Sequence, residues 1–222
     1  MATVQQIPVL AAKLVEHQAK FAPMAVKDAQ YVIQNPADAI ELFIEAVQNR
    51  PERAADRFPI WKTIVLGNYE GAKGIGKGLL YAEPRINVDR WAGDILYKPA
   101  FVVAPKKAEI DLVVISVSEL GFPNGAHWID VCSRAFKYDV DICPAEVGPQ
   151  LRMQYKDQPI GEKLKIVMSP IEGTENLGRV DSFRFSVECD EGGLNLRAYT
   201  TAGFGSEFWR PERKCVFSRQ RK

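Results

Sequence analysis

Between Ile110 and Val117 the chain places Ile, Leu, Val, Val, Ile and Val in eight positions, broken only by Asp111 and Ser116. A strand with one wet face alternates apolar and polar residues, so this nearly continuous run predicts a strand buried on both faces. Such a strand needs sheet neighbours and packed layers, and the rest of the chain has to supply them.

Before the run the pattern is helical. In Val4–Lys20 the apolar positions Val4, Ile7, Leu10, Ala11, Leu14 and Val15 recur at three- and four-residue steps, and the pattern resumes over Met24–Gln34. Asn35 as cap, Pro36 at the first helical position, and Asp38 and Glu41 in the early turns predict a third helix that ends before Pro51. Residues 1–57 therefore read as an N-terminal helical hairpin or bundle with Pro51–Arg57 as linker, and 58–222 as a mixed α/β domain.

In that domain Ile60–Leu66 reads as a strand, followed by a Gly-rich stretch through Tyr81, helical or looped. Val88–Tyr97 reads as a helix with Asn87 placed to cap it. Ala126–Lys137 reads as a helix, and Cys143–Tyr155 as a short, broken one. Lys163–Met168, Ser182–Cys189, Leu194–Thr200 and Lys214–Ser218 read as strands, with a hairpin turn at Asp190-Glu-Gly-Gly193. Helices first, then mixed elements, then antiparallel strands is an α+β order.

Composition narrows the function classes. Of the 222 residues 46% are hydrophobic and 26% charged, which supplies a core and an ordinary surface. Basic and acidic side chains, 29 against 28, leave no bulk attraction to nucleic acid or acidic lipid. The local exception is the Lys- and Arg-rich stretch Arg210–Lys222, which reads as a solvated basic tail and is the feature a nucleic-acid accessory protein would use. No apolar run approaches the roughly 18–20 residues that cross a bilayer, and Met1–Lys20 lacks the basic start and apolar core of a secretory signal. Cys132, Cys143, Cys189 and Cys215 form no Cys-x-x-Cys pair, which argues against structural zinc and a disulfide scaffold. The expectation is a soluble cytoplasmic protein with free thiols, no membrane association, no metal and no cofactor.

Gly71-Ala-Lys-Gly-Ile-Gly76-Lys77 fits the Gly-x-x-x-x-Gly-Lys spacing of a phosphate-cradling loop. The next residue is Gly78 where that loop needs a metal-binding hydroxyl, so a flexible surface turn is the better reading.

The richest segment runs from Cys143 to Pro159 and holds Glu146, Gln150, Arg152, Tyr155, Asp157 and Gln158 between prolines. Cys143 stands where an N-cap belongs, with Pro144 first in the helix and Glu146 third, a capping-box spacing with a thiol in place of the hydroxyl. A thiol at a helix N-terminus is drawn toward thiolate, and with His127 as base and Glu119 or Glu146 as orienting carboxylate it would make a Cys–His nucleophilic site. The alternative is a buried, inert cysteine in the apolar run from Val140. Glu119, Asp139, Asp141, Glu146 and Asp157 have no metal-ligand spacing and read as surface charge. Phe204, Phe208, Trp209 and Phe217 read as cover for the edge of the terminal sheet.

Several strings occur in order: Trp61-Lys-Thr-Ile-x-Leu-Gly67, Asp94-Ile-Leu-x-Lys-Pro-Ala-Phe101, Ile110-Asp-Leu-Val-Val114, Glu119-Leu-Gly-Phe122 and Cys143-Pro-Ala-Glu-Val-Gly-Pro-Gln-Leu-Arg152. Gln154-Tyr155, Asp157-Gln-Pro159 and Val216-Phe217 complete them. This set resembles a group of bacterial proteins of candidate-phylum and planctomycete type that carries no assigned activity. The resemblance implies a shared fold over about Phe58–Arg219 and a focus on Glu119 and Cys143–Gln158.

The function expected from these residues is a non-catalytic module that binds a small ligand or a protein partner through a polar groove. Its wall is Glu119, Glu146, Gln150, Arg152, Tyr155 and Gln158, with Arg152 as forked donor to a carboxylate or phosphate. The competing readings are a hydrolase or transferase built on Cys143 and His127, a nucleic-acid accessory using the basic tail, and a buried polar network with a purely structural role.

Overall fold

A computed structural model describes residues 57–174, 181–201 and 207–219, together with positions 30, 33–38, 40 and 41. The chain divides into two units, Met1–Pro51 and Glu52–Lys222. In the first, residues 33–34 and 36–38 are helical on either side of Asn35. The rest of the expected N-terminal bundle, and Phe204, lie outside the described residues.

The second unit runs β1 (Lys62–Leu66), α1 (Gly71–Leu80), β2 (Ile86–Val88), α2 (Arg90–Leu96), β3 (Ala108–Ser116), β4 (Ala126–His127), α3 (Trp128–Phe136) and β5 (Val140–Asp141). It continues through α4 (Val147–Gln154), β6 (Lys163–Ile166), β7 (Ile171–Glu172), β8 (Ser182–Asp190), β9 (Gly193–Thr201), β10 (Phe208–Trp209) and β11 (Lys214–Arg219). The main sheet has the order β1-β3-β11-β6-β8-β9-β2, with β5 paired to β11 and β7 to β8. β3 is antiparallel to β1 and to β11, where Val113 faces Phe217. β11 and β6 are parallel, β8 and β9 form the antiparallel hairpin, and β2 is parallel to β9. This is an α+β unit on a mixed sheet. Among the described residues no helix is long and apolar enough to cross a membrane.

The run at residue 110 explains the layers. Successive side chains leave a strand on opposite faces, so Leu112 joins one core with Ile75, Leu79, Ile95, Val147 and Leu151 from α1, α2 and α4. Val113 and Ile115 join a second core with Val131, Cys132 and Ala135 from α3. Each fully buried aliphatic side chain contributes about 1.5–3 kcal/mol, so both faces of β3 are anchored.

Four expectations are corrected. The basic stretch from Arg210 is no solvated tail, because Lys214–Arg219 is an inner strand whose Cys215, Val216 and Phe217 are fully buried. Phe217 and Trp209 accordingly lie in the second core rather than over a sheet edge, while Phe208 is 52% exposed. The Gly-rich stretch is a regular helix, α1, and not a turn. Its glycines answer to packing: a Cβ on Gly78 would stand 2.7 Å from the Tyr69 ring. The phosphate-loop spacing therefore falls on a regular helix rather than a loop, and from Gly74 onward its amides bond back along the chain. Finally, α2 is capped by Asp89, which accepts from the Ala92 amide at 2.7 Å, whereas Asn87 sits in β2 and donates to the Gly192 carbonyl at 3.0 Å.

Candidate functional site

The Cys143–Pro159 segment enters α4 through a tight turn in which the Val147 and Gly148 amides donate to the Pro144 and Ala145 carbonyls. The helix thus starts at Val147, and the N-cap position belongs to Glu146, not Cys143. Pro149 is tolerated because first-turn amides have no acceptor within the helix. Gly148 permits close approach to the sheet, since a Cβ there would lie 2.7 Å from the Phe185 side chain.

Glu146 is 1% exposed, and its carboxylate accepts from the Gly67 amide, the Ala104 amide and the Gln150 side chain, each at 2.8 Å. Two turns on, the Gln154 amide accepts from the Val65 N–H at 2.9 Å and donates to the Val65 carbonyl at 2.8 Å. Polar groups taken from water need such partners, and here they stitch α4 to the outer side of β1. Arg152 is 0% exposed; it donates to Gln158 Oε1, to the Tyr155 carbonyl and, at 3.3 Å, to the Glu188 carbonyl. Burial pulls its pKa down to about 10, which leaves the guanidinium charged at neutral pH. Gln158 donates to the Val187 carbonyl at 3.1 Å, and the Tyr155 hydroxyl donates to Glu162 Oε2 at 2.8 Å.

All of the expected groove wall except Glu119 therefore comes together, but inside the protein, with its hydrogen bonds turned inward. Glu119 stands apart in the turn after β3, where the Ser116 hydroxyl and amide donate to it at 2.6 and 2.7 Å and hold its carboxyl below the ordinary range. Arg152 cannot reach a ligand from this position.

The Cys–His pair is not assembled. Cys143 is 3% exposed, packs in the first core and donates to the Val216 carbonyl at 3.4 Å. Burial, with Asp141 adding to it, pushes its thiol far above the ordinary value, the reverse of an activated nucleophile. His127 precedes α3 and pairs with Phe208 across β4 and β10, on the side of the second core. The sheet separates the two. Among the described residues no group of His, Cys, Asp and Glu is arranged to hold a metal.

A cleft of about 620 Å³ opens where the parallel strands β6 and β11 begin. Lys163, Lys165, Arg210, Arg213 and Lys214 line it, against Glu162 and Glu212, so its lining carries a surplus of positive charge. The inner cations are fixed from behind. Lys165 Nζ is 3.1 Å from Glu188 Oε1 and 4.4 Å from the centre of the Tyr199 ring. Arg213 is 3.0 Å from Glu207 Oε1 and lies over Trp209 at 5.2 Å. Burial lowers the pKa of Lys165 against the pull of Glu188. Burial also works against ionised Glu188, but Lys165 and the Ser186 hydroxyl offset it and bring that carboxyl below its ordinary value.

The sequence reading passed over Lys163 and Lys165, and took Arg210, Arg213 and Lys214 only as part of a basic tail. The local signal is the alternation Glu162-Lys-Leu-Lys165 and the run Glu212-Arg-Lys214, but the two strings lie about fifty residues apart and meet only through a parallel pairing. Comparison with protein-family models, curated proteins and solved structures finds no match.

Proposed function

We propose that the unit formed by residues 52–222 is a non-catalytic binding module, and that the cleft between the Pro159–Lys165 segment and the Arg210–Lys214 turn takes a small ligand bearing phosphate or carboxylate groups. The observation that carries this reading is the convergence of Lys163, Lys165, Arg210, Arg213 and Lys214 on one cavity. Its volume of about 620 Å³ falls within the range of small-molecule sites, roughly 300–1,000 Å³. Lys165 and Arg213 are held in place by Glu188 and Glu207, so part of the ordering that binding requires is already complete. The rings of Tyr199 and Trp209 lie against those two cations, which favours a compact anion over a single-stranded nucleic acid that would need bare rings to stack on.

Calorimetric titration with pyrophosphate and with citrate tests the proposal. Saturable binding is expected, weakened about tenfold by Lys163→Ala, as befits loss of one charge-assisted contact. Absence of saturable binding by either probe, or affinities indifferent to Lys163→Ala and Lys214→Ala together, would sink it.

A further inference from the structure

The buried string that begins on α4 meets the basic cleft at Glu162. Its Oε2 accepts the Tyr155 hydroxyl at 2.8 Å, while its Oε1 lies 3.7 Å from Lys214 Nζ. Its carbonyl receives Gln158 Nε2 at 3.3 Å and the Cys189 amide at 3.1 Å, and the Gly161 amide donates to the Cys189 carbonyl at 2.8 Å. The cleft wall at 159–162 is thus tied both to the end of β8 and to the residues that follow α4. Tyr155 is itself fixed, edge-on to Trp61 at 5.0 Å and beneath Lys62 at 4.7 Å. Burial, then the bond to Glu162, raises its pKa, so its hydroxyl stays a donor throughout the neutral range.

Glu162 is an anion that the protein places in its own anion cleft. Already 3.7 Å from Lys214, a carboxylate at that point would also compete with a ligand for the neighbouring cations unless something restrains it. We infer that Tyr155 is a positioning residue for the cleft, tethering Glu162 Oε2 so that the carboxylate meets Lys214 only at 3.7 Å and leaves the other cations open to an external phosphate or carboxylate; this rests on the anion-binding reading above. Arg152 and Gln158 support the tether from behind, through the Tyr155 carbonyl and the Glu162 carbonyl.

The test is a double-mutant cycle of Tyr155→Phe and Glu162→Gln, read as the dissociation constant for pyrophosphate at a temperature where near-UV circular dichroism shows all four proteins folded. Tyr155→Phe removes one hydrogen bond to a charged group and should weaken binding by about three- to tenfold. Glu162→Gln should tighten it, and in that background Tyr155→Phe should change nothing beyond about twofold. A merely structural role for Tyr155 would instead cost the same factor in both backgrounds, and that result, or wild-type affinity in Tyr155→Phe, overturns the inference. If Lys163→Ala abolishes binding while Tyr155→Phe does not alter it, only the tether fails. If the wild-type protein does not bind pyrophosphate at all, the cleft reading fails and the tether with it.

Discussion

Arg152 is a charge removed from water and, among the described residues, held by neutral oxygens: the Gln158 amide and the carbonyls of Tyr155 and Glu188. Its Nε has no hydrogen-bond partner there. Arg152→Ala would strand those acceptors and open a cavity, so unfolding free energy should fall by about 3–5 kcal/mol, measured by urea denaturation. Glu188 makes a second prediction, this time in pH. Its folded carboxyl titrates below the ordinary value of 4.5, so its contribution is complete above about that pH and lost as pH falls through the folded value. Glu188→Gln should therefore flatten the acid decline of the urea midpoint below about pH 4.5, while leaving its own constant loss at neutral pH. At this scale the sequence was only partly legible. The crowding of Glu146, Gln150, Arg152, Tyr155 and Gln158 could be seen, but whether the crowd faces water could not. That depends on the Gly67 and Ala104 amides, some 40 to 80 positions away, which draw Glu146 inside. The Cys143 spacing misled for a related reason. A cap is defined by where the chain turns, and here the turn comes three residues later, at Glu146.

Among the elements, β1 and α4 depend most closely on each other. β1 pairs with β3 along one side, and on the other the Gln154 amide takes both the N–H and the carbonyl of Val65, filling the place of another strand. Gln154→Leu should cost about 2 kcal/mol, near the loss of two hydrogen bonds. It should also bare a strand edge, seen as concentration-dependent association in sedimentation velocity. Gly148→Ala tests the seating of α4 on β8, because the added methyl meets Phe185. In place of the stabilisation that Gly→Ala brings on an open helix, a loss of about 1–3 kcal/mol is expected in thermal melts. Strands read from apolar runs were well placed, since burial on two faces leaves its mark in composition. The helix α1 was harder to read, because its glycines serve neighbouring rings such as Tyr69 and so lower the helical signal of the segment itself.

For the second unit as a whole, the sheet order sets the dependence of one half on the other. β11 stands between β3 and β6, so without it the order separates into β1-β3 and β6-β8-β9-β2. A chain ending at Arg213 should lose near-UV circular dichroism and cooperative urea unfolding together. The α+β class was legible from the succession of elements. The joining role of β11 was not, because pairings of such long sequence separation leave no trace in local pattern. The same arrangement bears on synthesis. Val113 finds its partner Phe217 only about a hundred residues later, which at roughly 5–20 residues per second is an interval of some seconds on the ribosome. Through that interval the most apolar strand of the protein has an unoccupied flank, so the nascent chain, rather than the finished fold, is where a chaperone has most to protect.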